Sequence, residues 1–386
     1  MLKILSVIGT RPEAIKMAPV IRELARYPGQ ITSLVCVTAQ HRQMLDQVLD
    51  LFQIEPDYDL DVMCKAQTPT QVAASVLTKL EPILAAERPD WVLIQGDTTT
   101  VMAASLAAFY ARVKVGHVEA GLRTHDKAQP FPEEVNRRVA SVVADLHFAP
   151  TSRARHNLLR ERIPAQNIIL SGNPVIDALY AVCAMPYHPQ PDPLATIHTD
   201  RRIVLVTAHR RENTGLPLIS ICSALRELVR RYRDSVHIVY PVHLNPCIRE
   251  PVHRILRDIP CITLLPPLDY LPLVQLLRRS YLVLTDSGGL QEEAPSLGKP
   301  VLVLRNTTER PEAVEAGTAR LVGTACQRIV DETARLLDDV QAYQGMAQAV
   351  NPYGDGHAAR RIVNALLACD HAATIRKSPE LSRVPG

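Results

Sequence analysis

The chain has 386 residues, 47% hydrophobic and 22% charged, with a formal net charge of +3. That length suits two domains of ordinary size, and so small a charge argues against nucleic acid or an anionic membrane as partner. No apolar run is long enough to span a bilayer, and eight cysteines without a Cys-x-x-Cys pair fit free thiols in a reducing, cytoplasmic setting, not a disulfide frame or a zinc site.

The chain goes straight into an apolar, β-branched strand over residues 3–8, with no signal-peptide pattern before it. A turn, Gly9-Thr10-Arg11-Pro12, precedes a helix over 13–26. Pro12 suits a first helical position, and Ala14, Ile15, Met17, Ala18, Ile21 and Leu24 form a core-facing stripe. Arg11 and Lys16 stand at a helix N-terminus, where cations are unfavourable unless an anion joins them. That placement fits a phosphate, and equally a salt bridge to Glu13. Strands over 33–38, 91–95 and 114–118 follow, the last two ending in Gly96-Asp97-Thr98 and Glu119-Ala120-Gly121. Short strands alternating with helices predict parallel βαβ units, whose ligands bind beyond the strands' carboxyl ends. Arg11, Asp97 and Glu119 all stand at such ends. Pro130-Phe131-Pro132 then delivers Glu133 and Glu134 to a helix start, where acidic residues are also favoured by the dipole alone.

Gly172-Asn173-Pro174 punctuates the end of the first half, Pro-rich connecting material follows over 186–193, and the second half repeats the grammar of the first. A strand over 202–207 ends in Ala208-His209-Arg210-Arg211, one over 237–240 in Pro241-Val242-His243, and short strands over 262–265 and 301–304 complete the set. Between them, residues 281–285 form a strand that breaks at Asp286-Ser287-Gly288-Gly289 before helix formers from Leu290 onward. Two glycines at a helix N-terminus let a phosphate approach unpaired N–H groups, while Glu293, about one turn further in, fits ribose hydroxyls. The same residues also read as an ordinary strand–helix turn with a serine cap. The expected fold is α/β, two doubly wound Rossmann-like domains facing across a cleft. Their expected bounds are 1–173 and 174–356, with 357–386 a helix crossing back to the first domain and a poorly ordered polar tail from Ser378.

Absences narrow the chemistry. No G-x-G-x-x-G follows a strand, Gly298-Lys299-Pro300 lacks the rest of a P-loop, and His209 and His243 lack metal-ligand spacing. Neither cofactor nor metal is therefore expected. A phosphate-friendly helix end, basic residues and the carboxylates Asp97, Glu119 and Glu133 suit acid–base work on a diphosphate-linked substrate.

The strings IGTRPEAIKMAP (8–19), GDTTT (96–100), GHVEAGLRT (116–124), PFPEEVNR (130–137), VTAHRREN (206–213), YPVHLNP (240–246), LTDSGGLQEEAPSLGKPVLVLRNTTERPEAVEAGT (284–318) and NPYGDG (351–356) resemble the non-hydrolysing UDP-N-acetylglucosamine 2-epimerases across nearly the whole chain. The resemblance implies a GT-B-like fold, a homodimer, and interconversion of UDP-GlcNAc with UDP-ManNAc through UDP and 2-acetamidoglucal, for cell-envelope or capsular polysaccharide. It implies acid–base roles for Asp97, Glu119 and Glu133, with His209 near the diphosphate or sugar. Arg11, Lys16, Ser287, Gly288, Gly289 and Arg310 would hold diphosphate or sugar oxygens, and Glu293 the ribose. Gln40, Gln43, Glu133, Arg211 and His243 match a second, activating UDP-GlcNAc site of some members, but Ala66 stands where those members carry arginine. Leu268 and Leu273 replace a glutamine and a phenylalanine of the uracil pocket. Other readings are a GT-B-type glycosyltransferase, a hydrolysing UDP-GlcNAc 2-epimerase, and a nucleotide-sugar sensor without turnover.

Overall fold

Two parallel β-sheets organise the chain. The computed structural model describes residues 1–38, 42–62, 67–188, 192–195, 197 and 200–377, with backbone alone for 42–44 and 370–377; the tail from Ser378 lies outside them. One compact unit is Met1–Ala178 with Gly356–Gly386, and the other is Leu179–Asp355. The change of unit falls inside the helix Pro174–Cys183.

The first unit holds β1 (Leu2–Ile8), β2 (Ile31–Val37), β3 (Tyr58–Asp59), β4 (Trp91–Gln95), β5 (Lys114–Val118), β6 (Leu146–Ala149) and β7 (Ile168–Leu170), ordered β3-β2-β1-β4-β5-β6-β7. All five residues of β4 are buried, as a central parallel strand covered on both faces requires. Leu5, Val7, Val92 and Ile94 pack with Val76, Leu80, Val101 and Ala104 from the covering helices. The helix Ala358–Lys377 belongs to this unit and packs on the helix Arg11–Leu24. Asp177 caps its start, accepting from the backbone N–H of Ala358 (3.1 Å) and Ala359 (2.9 Å).

The second unit holds β8 (Arg202–Thr207), β9 (Val236–Pro241), β10 (Ile262–Leu265), β11 (Ser280–Thr285), β12 (Val301–Val303) and β13 (Ala319–Leu321), ordered β10-β9-β8-β11-β12-β13. Its core is Val204, Val206, Leu225, Ile238, Tyr240, Leu284 and Leu302. Each sheet reverses its winding beside its first strand, at β1/β4 and at β8/β11. That is where an open doubly wound sheet leaves a crevice beyond the strand ends. Both units are therefore Rossmann-like. Two helix starts differ from the sequence reading: the first helix begins at Arg11, and Gly288 and Gly289 form the first turn of the helix Gly288–Ser296 instead of a turn before it.

Gly121, just beyond β5, has φ +90°, and a Cβ there would lie 2.3 Å from the Ala154 carbonyl oxygen. Neither the backbone conformation nor the contact leaves room for a side chain. Gly121→Ala is expected to lower the stability of the first unit by about 3 kcal/mol, measured by urea unfolding. An unchanged midpoint would show that the loop can shift.

Candidate active site

In the first unit the carboxyl ends of β1, β4 and β5 bring Lys16, Asp97 and Glu119 together. Glu119 follows β5 directly and has φ +64°, a left-handed conformation unusual for a residue with a side chain. Its buried carboxylate accepts from Lys16 Nζ (2.6 Å) and Asn173 Nδ2 (2.9 Å) on one oxygen and from Gln95 Nε2 (2.5 Å) on the other. Lys16 thus pairs with Glu119 and not with Glu13. Glu13 is buried and instead accepts from the backbone N–H of Gly9 and of Thr10, bracing the turn after β1.

Asp97 receives a 2.6 Å ion pair from Arg137 Nη2, and Asn136 Nδ2 donates to its backbone carbonyl at 3.0 Å. Both partners come from the helix Glu133–Val143, which also carries Glu133 at its first position. Burial raises the Asp97 carboxyl above its ordinary range; Arg137 opposes this, Glu119 adds to it, Lys16 opposes, and Glu133 adds. Glu119 and Glu133 therefore both lie close enough to Asp97 for its carboxyl to sense their charge. Glu133 Oε2 is buried without a hydrogen bond among the described residues. The neighbouring Glu134 is fully buried and accepts from the backbone N–H of Thr124 (3.0 Å) and His125 (3.2 Å), fixing the loop before the helix. Beneath Asp97, His117 Nε2–H donates to the Gly96 carbonyl at 2.7 Å, and burial pushes this imidazole down to about 3, so it stays neutral. Arg11, half-buried, opens the helix Arg11–Leu24.

In the second unit Ser287 occupies the N-cap position of the helix Gly288–Ser296 without a side-chain cap bond among the described residues, and its own backbone N–H is donated to Thr285 Oγ1 at 2.9 Å. A Cβ on Gly288 would sit 3.9 Å from Arg210 Nη2 and 4.0 Å from Arg310 Nη2, so two guanidinium groups converge over the helix's first turn. Arg310 is held through Nε by the buried carboxylate of Glu292. Cationic forks and free helix N–H groups together make an anion site. Glu293, nearly buried, accepts from Tyr270 Oη at 2.6 Å.

His209 follows β8, with Nδ1 3.4 Å from Asp286 Oδ1, and its ring stacks on His243 at 5.6 Å between centroids. Burial lowers the His209 pKa, Asp286 raises it, and His243 and Arg210 lower it. Arg211 is exposed in the short 3-10 turn Arg211–Asn213. Gln40 and Ala66 lie outside the described residues, as does the Gln43 side chain.

Sequence reasoning passed over Glu13, Gln95, Arg137, Asn173, Arg210, Tyr270, Asp286 and Glu292. Asn173 reads as loop punctuation and Gln95 as the end of a strand. Their one sequence signal is polarity at or just beyond a strand's carboxyl end. Among the described residues no group of three or more His, Cys, Asp or Glu side chains could hold a metal ion, and no helix is long and apolar enough to cross a membrane.

A family model described as UDP-N-acetylglucosamine 2-epimerase matches residues 22–367. The UDP-N-acetylglucosamine 2-epimerase of Yersinia pestis is 55% identical over 372 residues, covering 95% of this chain and 98% of that protein. The chain also resembles the crystal structure of UDP-GlcNAc 2-epimerase from Neisseria meningitidis bound to UDP-GlcNAc. That match has TM-score 0.88 and 48% identity, over 95% of this chain and 100% of the other. The enzyme from Methanocaldococcus jannaschii, in complex with UDP-GlcNAc and UDP, matches with TM-score 0.79 at 32% identity, over 95% and 100% of the two chains.

The acid chemistry of the first unit has a pH signature. Burial pushes Glu13 from an ordinary 4.5 up to about 7, against the hydrogen bonds from Thr98, Gly9 and Thr10 and with the charge of Asp97. Its protonated form suits the fold, so the stability it contributes is fully present below pH 4.5 and is lost as pH rises to 7. Glutamine keeps an acceptor for Gly9 N–H and does not titrate. Between pH 4.5 and 8, Glu13→Gln should remove a stability loss of up to about 3 kcal/mol that the unaltered chain shows in urea unfolding. Parallel pH profiles would remove Glu13 as the source.

Proposed function

This chain belongs to the UDP-N-acetylglucosamine 2-epimerase family, and on that footing we propose that it interconverts UDP-GlcNAc and UDP-ManNAc by elimination and re-addition of UDP. A carboxylate takes the C2 proton as the C1–O bond to UDP breaks and UDP leaves with the bonding pair, so that a C1–C2 double bond forms. The products held in the protein are UDP and 2-acetamidoglucal. Proton delivery to the opposite face of C2, with attack of the UDP oxygen at C1, gives the epimer. Every step is a proton transfer or the departure or return of an anion, chemistry that acidic and basic side chains can assist.

The observation that carries this reading is the cluster of Asp97, Glu119 and Glu133 around Lys16 and Arg137. Glu119 has both oxygens engaged by donors, which suits a fixed charge near the reacting carbon. Asp97, raised by burial and by its carboxylate neighbours, and Glu133, with one oxygen bare of hydrogen bonds among the described residues, suit proton carriers. Arg11 and Lys16 would steady sugar or phosphate oxygens. In the second unit Ser287, Gly288, Gly289 and Arg310 take the diphosphate, with Arg210 as a further arm. Glu293, preset by Tyr270, takes the ribose hydroxyls, and His209 works beside the leaving group.

The partner we propose is a second copy of the chain. Phe109, Tyr110 and Val142 are more than half exposed on the neighbouring helices Thr99–Tyr110 and Glu133–Val143, an apolar surface that a copy would cover. The product would feed cell-envelope or capsular polysaccharide synthesis.

Turnover of UDP-GlcNAc in deuterated water should place deuterium at C2 of both epimers, read by NMR, and Asp97→Asn should slow that exchange on the order of 10²–10⁴-fold. Unlabelled product would refute elimination; free ManNAc with UDP would mark a hydrolysing enzyme; consumption only with an acceptor sugar would mark a transferase. Glu293→Ala should weaken UDP binding on the order of ten- to a hundred-fold in calorimetry, since it removes a charged acceptor for two hydroxyls. Unchanged affinity would take the ribose away from Glu293.

A further inference from the structure

We propose that Asp286 is a positioning residue for His209, holding the imidazole with Nδ1–H as donor and leaving Nε2 bare for the nucleotide sugar. The inference rests on the reading of His209 as acting beside the leaving group.

Asp286 stands immediately beyond β11 and is fully buried. Its Oδ2 accepts three hydrogen bonds, from the backbone N–H of His209 (2.8 Å), the backbone N–H of Arg210 (2.8 Å) and Asn213 Nδ2 (2.9 Å). Asn213 also donates to the Leu304 carbonyl at 3.1 Å, so the carboxylate is anchored from β8's end and tied towards β12's. Bracing the β8–β11 crevice thus occupies Oδ2. Oδ1 is buried, makes no hydrogen bond among the described residues, and lies 3.4 Å from His209 Nδ1.

A buried carboxylate oxygen without a donor is unfavourable, and Nδ1–H can supply one. Charge-assisted N–H···O contacts settle at about 2.7–2.9 Å, so closing the pair needs a ring shift of roughly half an ångström. The His209 main chain is already bound to the same carboxylate, which keeps the residue in place while the ring turns. His243 lies parallel to one ring face, 10° between planes, and its own Nδ1 accepts from Asn245 N–H at 3.1 Å. The charged or titratable groups facing His209 are Asp286 from beyond β11, His243 from beyond β9 and Arg210 from its own loop. Of these Asp286 alone favours the imidazolium. A carboxylate on one ring nitrogen selects the tautomer and steadies the charge that forms when the other nitrogen takes a proton.

The test uses the full chain labelled with ¹⁵N-histidine, with the His209 signals assigned by their loss in His209→Asn. Above the ring's titration, long-range proton–nitrogen spectra should show Nδ1 protonated and Nε2 bare; an Nε2–H tautomer, or the mixture of a free imidazole, overturns the proposal. In Asp286→Asn the His209 pKa should fall, and kcat should drop on the order of 10²–10⁴-fold with KM for UDP-GlcNAc shifted less than about three-fold. A folded Asp286→Asn with an unmoved ring pKa also overturns it. If that variant does not fold, the tautomer in the unaltered chain decides. Full turnover by His209→Asn would end the catalytic reading of His209, a failure separate from that of the pairing, which the ring signals report directly.

Discussion

The first unit depends on one buried ion pair, Lys16 with Glu119. Lys16 comes from the helix after β1 and Glu119 from the end of β5, while Gln95 at the end of β4 and Asn173 after β7 complete the carboxylate's shell. Desolvating two charges is costly, and the attraction between them repays it only where further hydrogen bonds satisfy what remains. Here those bonds come from two neutral amides, so that the pair ties together four segments of the sheet's carboxyl edge. The left-handed backbone at Glu119 is a second cost at the same place. Both costs sit where the proposed chemistry needs a fixed negative charge, beside an Asp97 whose proton affinity that charge raises.

The winding reversal imposes a related constraint on each sheet. Where neighbouring connections diverge, backbone N–H groups at the strand ends lose their partners, and a buried carboxylate restores them. Glu13 does this for Gly9 and Thr10 after β1, and Asp286 for His209 and Arg210 after β8. The two acids end differently. Burial makes Glu13 favour its protonated form, with the charge of Asp97 adding to it, whereas Asp286 keeps one oxygen towards an imidazole.

Much of this was legible from the chain alone. The βαβ grammar, the resemblance to the epimerases and the residues at the ends of β1, β4, β5, β8 and β11 all follow from local pattern. What escaped was pairing at long range. Lys16 and Glu119 are 103 positions apart, and nothing in the spacing favours that partner over the nearby Glu13. Gln95 and Asn173 carry no local mark of a carboxylate's shell, because their partner is set by strand order. Strands β3, β6, β7 and β13 also escaped, and their length of four residues or fewer is only part of the reason, since β10 and β12 are as short and were legible. The helix start at Gly288 was misplaced because glycine reads as a breaker, whereas at a first turn it leaves the N–H groups open.

On the proposed reading, the enzyme meets an electrostatic conflict. Carboxylates must move protons on a substrate that is itself an anion, and bare acids beside a diphosphate would repel it. The chain separates the two tasks by unit and balances each locally. Lys16 and Arg137 offset Glu119 and Asp97 in the first. Arg210 and Arg310 converge on the open turn at Gly288 in the second, with Glu292 fixing the Arg310 fork. Glu292 binds through Nε and the Glu309 carbonyl accepts from Nη1 at 3.3 Å, so the fork is held in place beside that turn. A reversible reaction asks for that restraint. UDP must be held firmly enough to stay through the glucal stage and still be released to attack C1 again, which a partly neutralised arginine serves better than an unpaired one.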